Sequence, residues 1–184
     1  EEGDTVQVLP GTYVENIQMA EAVAVIGSGW ETTIIDGGAT HDVVTASSVH
    51  RVHLEGLTIR NSGQGNISPG NVGVRIDGMA LDFILAANIK DCRIQGNGFG
   101  VVVWNIGGGT LEIERSIIAN NIFNGLCPGL GGVLVERSTI AGNGASGIFE
   151  NVGAAISVQN SIVALNGGFG IRKSTGANSY LQYN

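Results

Sequence analysis

One phrase is written three times along this chain, as LEIERSIIANN from Leu111, VLVERSTIAGNG from Val133 and ISVQNSIVALNGG from Ile156. Repetition at a fixed interval means one supersecondary unit stacked on copies of itself, so the period constrains the fold more than any single motif. Aligning the shared apolar position gives Val25, Leu54, Ile89, Ile113, Val135, Val158 and Leu181, at intervals of 29, 35, 24, 22, 23 and 23 residues. A second apolar position holds Ile59, Ile94, Ile118, Ile140 and Val163. A third holds Val74, Val101, Leu126, Ile148 and Ile171, each directly after a glycine.

Each repeat therefore contains three short apolar segments with Gly or Asn between them. Alternation over four or five residues and β-branched content predict strands, and no window carries the i, i+3, i+4, i+7 stripe of a helix. Three strands in about 23 residues cannot fold back as hairpins and keep every repeat in register. Coiling solves this, because each strand pairs in parallel with its copy one turn later, about 4.8 Å away. Asn97, Asn121, Asn143 and Asn166 then share one corner, where their amides can bond one another and the turn backbone. Asn also tolerates the left-handed backbone of a tight corner. The expected fold is all-β: a single-stranded parallel β-helix, a solenoid of about seven coils with three short strands each, forming one domain over residues 1–184.

Composition excludes several classes. Sixteen acidic against nine basic residues give a net charge of −7, which repels phosphate backbones and argues against nucleic acid. No apolar run is long enough to span a membrane, and the chain does not open on a basic start followed by an apolar block. Cys92 and Cys127 are too few for a disulfide framework and form no C-x-x-C pair.

With its coils in place the chain resembles the right-handed parallel β-helix proteins of the pectate-lyase-like superfamily, the carbohydrate-binding and sugar-hydrolase group. The opening GDTVQVLPGTYVENI and the following VAVIGSGWETTIIDGG are similar to the first coil of pectin methylesterases and of secreted β-helix proteins. The resemblance implies the right hand, an extracellular or cell-surface location, and a polysaccharide groove along the first-strand sheet. Fold does not fix activity.

Alternation names the outward residues of each strand. On the first strand these are Glu55, Lys90, Glu114, Glu136 and Gln159, with His53, Asn88, Glu112, Leu134 and Ser157 two residues earlier. Glu112, Glu114 and Glu136 are the candidate catalytic residues. Carboxylates on adjacent coils could divide acid and base roles in glycoside hydrolysis, or hold a calcium ion. The competing expectation is a solvated ion-pair ladder, in which Lys90, Arg115 and Arg137 offset the glutamates. No cofactor is required by the pattern, calcium being the one it could accommodate, and His41, His50 and His53 lack metal-ligand spacing. Lys90 is the one basic residue in the first-strand Glu/Lys column, where the lyase chemistry of the resembled family would look for its base.

The segment DFILAANIKDCRI from Asp82 is similar to the pectin methylesterase segment bearing the nucleophilic aspartate. The family's glutamine, second aspartate and arginine motifs have no counterpart here, so Asp82 reads as a loop or strand-entry residue. The second strand differs in character. Its outward columns run Thr58, Arg93, Ile117, Thr139, Ile162 and Arg60, Gln95, Ala119, Ala141, Ala164. From Ile117 onward this face is uncharged and flat, suited to lateral packing against another flat surface, whether a second solenoid, crystalline polysaccharide or ice. The bland alternative is a modest apolar strip on a monomer. On the third strand Val102, Trp104, Cys127 and Phe149 point outward, and Trp104 and Phe149 could stack on sugar rings. Cys92 points inward, which argues against a Cys92 to Cys127 disulfide. The segment NSGQGNISPGN from Asn61 is expected as an inserted loop that explains the interval of 35, with Asn66 a formal glycosylation acceptor. No helix caps the start and the chain stops inside a repeat, so either a longer chain or head-to-tail self-assembly is expected to cover the ends.

The functional expectation is an extracellular structural or polysaccharide-binding β-helix module, self-associating end to end or side by side and lacking a complete catalytic set. Its partners are polysaccharide or a second copy. The rival is a polysaccharide lyase or glycoside hydrolase using the first-strand carboxylates.

Overall fold

The computed structural model describes residues 3–63, 71–78, 86–150 and 153–174, and among them there are strands and turns but no helix. Every strand pairing is parallel, which fits a coil and excludes hairpins. A seven-stranded sheet stacks the second strands, Gly11–Val14, Thr33–Asp36, Thr58–Arg60, Arg93–Gln95, Ile117–Ala119, Thr139–Ala141 and Ile162–Ala164. The first and third strands join in a twelve-stranded sheet. They join because two strands, Phe99–Glu114 and Leu126–Glu136, run from the third position of one coil into the first position of the next without a break. The chain is a parallel β-helix.

Register follows the sequence spacing rung by rung. Val6, Val25, Leu54, Ile89, Ile113, Val135 and Val158 pair in one column. Tyr13, Ile35, Ile59, Ile94, Ile118, Ile140 and Val163 form the second. Ile17, Val44, Val74, Val101, Leu126, Ile148 and Ile171 form the third. These three columns, fully buried through the middle coils, are the spine of one hydrophobic core. Leu181 lies outside the described residues.

Between first and second strands the left-handed residue is Gly56, Asp91, Arg115, Arg137 or Asn160. The next position carries Cys92, Ser116, Ser138 and Ser161, and the hydroxyl of each serine accepts the backbone N–H one coil earlier at 3.0–3.2 Å. Between second and third strands an asparagine ladder runs through the wall. Asn97 Nδ2 donates to Asn121 Oδ1 at 3.2 Å, Asn121 to Asn143 at 2.9 Å and Asn143 to Asn166 at 2.9 Å. The left-handed backbone expected of these asparagines belongs instead to the residue before each one: Gly96, Asn120, Gly142 and Leu165. The ladder needs the buried amide pointing inward, and the corner itself is turned one residue earlier.

The glycine preceding each third strand has a steric cause. A Cβ on Gly125 would lie 2.7 Å from Asn143 Nδ2 and 2.8 Å from the Gly147 carbonyl, so these glycines make room for the next coil's ladder amide. Most of the expected inserted loop, residues 64–70, lies outside the described residues, as do residues 79–85. Asn66 and Asp82 fall there. A smaller irregularity separates Asn105 from Thr110, where Ile106 turns into the core over Gly131.

Candidate functional site

The first-strand face brings the candidate carboxylates together as the alternation requires. Glu114 pairs with Glu136 on one side and Lys90 on the other, and Glu112 pairs with Asn88 and Leu134. Two of the three, Glu114 and Glu136, are engaged in ion pairs. Glu114 Oε1 accepts from both Arg115 Nη1 and Arg137 Nη2, and Arg137 also reaches Glu136 at 3.5 Å. Arg115 grips Asp91 with two bonds of 2.8 and 2.6 Å, and these bonds hold the Asp91 carboxyl below its usual range. Lys90 sits 3.4 Å from Glu55, which His53 also contacts at 3.0 Å. The ion pairs run Asp91–Arg115–Glu114–Arg137–Glu136 in one set and Lys90–Glu55, with His53, in another. Oε1 of Glu114 is occupied by two guanidinium groups, and a calcium ion bound at that oxygen would have to displace both. Among the described residues, no cluster of three or more His, Cys, Asp or Glu side chains forms a metal site.

The two aromatic candidates lie on third-strand backbone. Trp104 is 43% exposed on the strand Phe99–Glu114, while half-buried Phe149 lies beneath the Arg172 guanidinium at 5.2 Å. Phe149 shares its column with Cys127, one coil earlier, and Val102, two coils earlier, and Trp104 stands two residues beyond Val102 on its strand. Val102, expected outward and open, is buried. Both cysteines are free thiols, and burial pushes each up to about 12.

The second-strand face is regular. Ile117, Thr139 and Ile162 pair in one outward column, and Ala119, Ala141 and Ala164 in the next. Ile162 is 60% exposed, and no charged side chain interrupts these three rungs. The earlier rungs are different. The Trp30 loop folds over them: Thr58, expected to be exposed, is buried and donates to the Trp30 carbonyl at 2.6 Å, and the Arg93 guanidinium stacks on the Trp30 ring at 4.0 Å. Trp30 carries no repeat signal, because it lies in a corner loop outside the three columns.

No protein-family profile and no curated protein matches this chain. Among solved structures, a pectin methylesterase from Yersinia enterocolitica is similar over 94% of this chain and 89% of its own, with 10% identity and a TM-score of 0.46.

One ionisable residue escaped the sequence reading. Glu150 lies fully buried on the strand Ile148–Glu150, in register with Lys173. Alternation from inward Ile148 already points it inward, so the signal was present in the spacing.

Proposed function

We propose that this chain is an extracellular polysaccharide-binding module with a structural role, and that it binds through the second-strand face rather than by cleaving at the first-strand face. The observation that carries this reading is the in-register pair of outward columns, Ile117–Thr139–Ile162 and Ala119–Ala141–Ala164. Small and β-branched side chains repeated every coil, about 4.8 Å apart, make a flat surface that loses little side-chain entropy on covering. The ion-paired state of Glu114 and Glu136 supports the non-catalytic half of the proposal. A second copy could cover the same face, giving lateral homo-assembly.

The test is cosedimentation with insoluble glycans together with sedimentation of the protein alone. Ala141→Arg puts a bulky charge in the centre of the face and is expected to abolish glycan retention without unfolding the chain. If the same substitution instead converts an oligomer to a monomer, the face serves self-association. Release of reducing or unsaturated ends from acidic or neutral glycans, with or without calcium, and lost on Glu112→Gln, Glu114→Gln or Glu136→Gln, would overturn the binding reading in favour of a lyase or hydrolase.

A further inference from the structure

At the corner after the second strands, successive rungs place Asn61, Gly96, Asn120, Gly142 and Leu165 in the left-handed region. The side chains at this corner form a column, and it is interrupted at Gly96. A Cβ on Gly96 would meet nothing within 4 Å, whereas one on Gly142 would lie 2.6 Å from Asn120 Oδ1. The gap at Gly142 is thus filled by its neighbour, and the gap at Gly96 is open. It forms a depression of about 260 Å³ lined by Arg60, Asn61, Gln95, Gly96 and Asn120.

The lining is rich in hydrogen-bonding groups but carries no unbalanced charge. Arg60 Nε donates to Asp36 Oδ2 at 2.8 Å, and Asn61 Nδ2 donates to Asp36 Oδ1 at 2.7 Å. Asp36 therefore fixes both side chains and offsets the guanidinium. The terminal nitrogens of Arg60 and the side-chain amide of Gln95 make no hydrogen bond among the described residues. Donors and acceptors stand side by side, the pattern that adjacent hydroxyl groups satisfy. Gln95 is also in register with Ala119, the start of the flat column through Ala141 and Ala164.

We propose that this notch is a subsite for one uncharged sugar residue, held by adjacent hydroxyls on Gln95 and Arg60, from which the rest of a neutral polysaccharide runs over the flat face. The inference rests on the polysaccharide-binding reading and narrows it to a site and a ligand class. Two variants test it by calorimetry on the whole chain, with a soluble glucan and a xylan as probes and polygalacturonate as the charged comparison. Gln95→Ala removes the free amide and is expected to weaken neutral-glycan binding about tenfold. Gly96→Asn fills the notch with a residue that this column already uses at Asn61 and Asn120, and is expected to abolish binding while leaving the melting temperature unchanged. Should Gly96→Asn fail to fold, Gln95→Ala decides. Wild-type binding that neither variant changes overturns the notch and leaves the general reading standing. Tighter binding of polygalacturonate overturns the neutral class, and no binding of any glycan overturns both.

Discussion

Asn121→Ala removes the centre of the asparagine ladder, and the cost can be worked from its bonds. Asn121 Oδ1 accepts from the Asn97 backbone N–H at 3.1 Å and from Asn97 Nδ2 at 3.2 Å, while its own Nδ2 donates to the Ile94 carbonyl at 3.3 Å and to Asn143 Oδ1 at 2.9 Å. Alanine leaves the buried Asn97 N–H without its acceptor, at about 1–3 kcal/mol, and forfeits further bonds worth about 0.5–1.5 kcal/mol each. With three such further bonds the sum is about 2.5–7.5 kcal/mol, and at about 2–4 °C per kcal/mol for a chain of this size the melting temperature should fall on the order of 5–30 °C. Asn166 makes equivalent bonds to Asn143 and Ile140, but it is half-buried, so water can replace the lost partners. Asn166→Ala is therefore expected to cost about 1 kcal/mol or less. Thermal unfolding followed by circular dichroism compares the two. Equal losses, or a loss below about 1 kcal/mol for Asn121→Ala, would refute the ladder as a source of stability.

Arg137→Ala opens exposed ion pairs to Glu114 and Glu136 and should change stability by less than about 1 kcal/mol, an effect that urea denaturation at low and high salt would resolve. Gly125→Ala forces a methyl against Asn143 Nδ2 and the Gly147 carbonyl, and is expected to lower the urea midpoint by the equivalent of about 1–3 kcal/mol or more. The two thiols, pushed up to about 12 by burial from an ordinary value of 9.0, should resist a thiol reagent at pH 8 until the chain is unfolded. Because unfolded thiols ionise first, their stabilising contribution is complete below pH 9 and is lost as pH rises from 9 towards 12. Cys92→Ser should flatten that alkaline decline in a denaturation series. Asp36 and Asp91 act in the opposite sense. Burial raises Asp36, but the Asn61 amide, the Gly38 N–H and Arg60 outweigh it, while Arg115 lowers Asp91. Their contribution is present above pH 3.8 and disappears on acidification below it.

What the sequence by itself determined is the set of columns. A period of 22–24 residues over the last repeats, with β-branched residues at fixed offsets, places Ile89, Ile113 and Val135 above one another, because side chains alternate with period two and a slip of one would turn the core outward. The asparagine ladder, the serine column and the two ruled outer faces follow from the same register. Periodicity carries no information about residues off the strands, and there the tertiary structure decided. It put the left-handed backbone one residue before each ladder asparagine. It folded the Trp30 loop over Thr58 and Arg93, and it bound Glu114 to two arginines on adjacent coils. The open notch at Gly96 depends on residues from five successive coils: Asp36 holding Arg60, Asn120 lying over Gly142, and no side chain over Gly96 between them. A repeat fixes what recurs, and a site is built where the recurrence is broken.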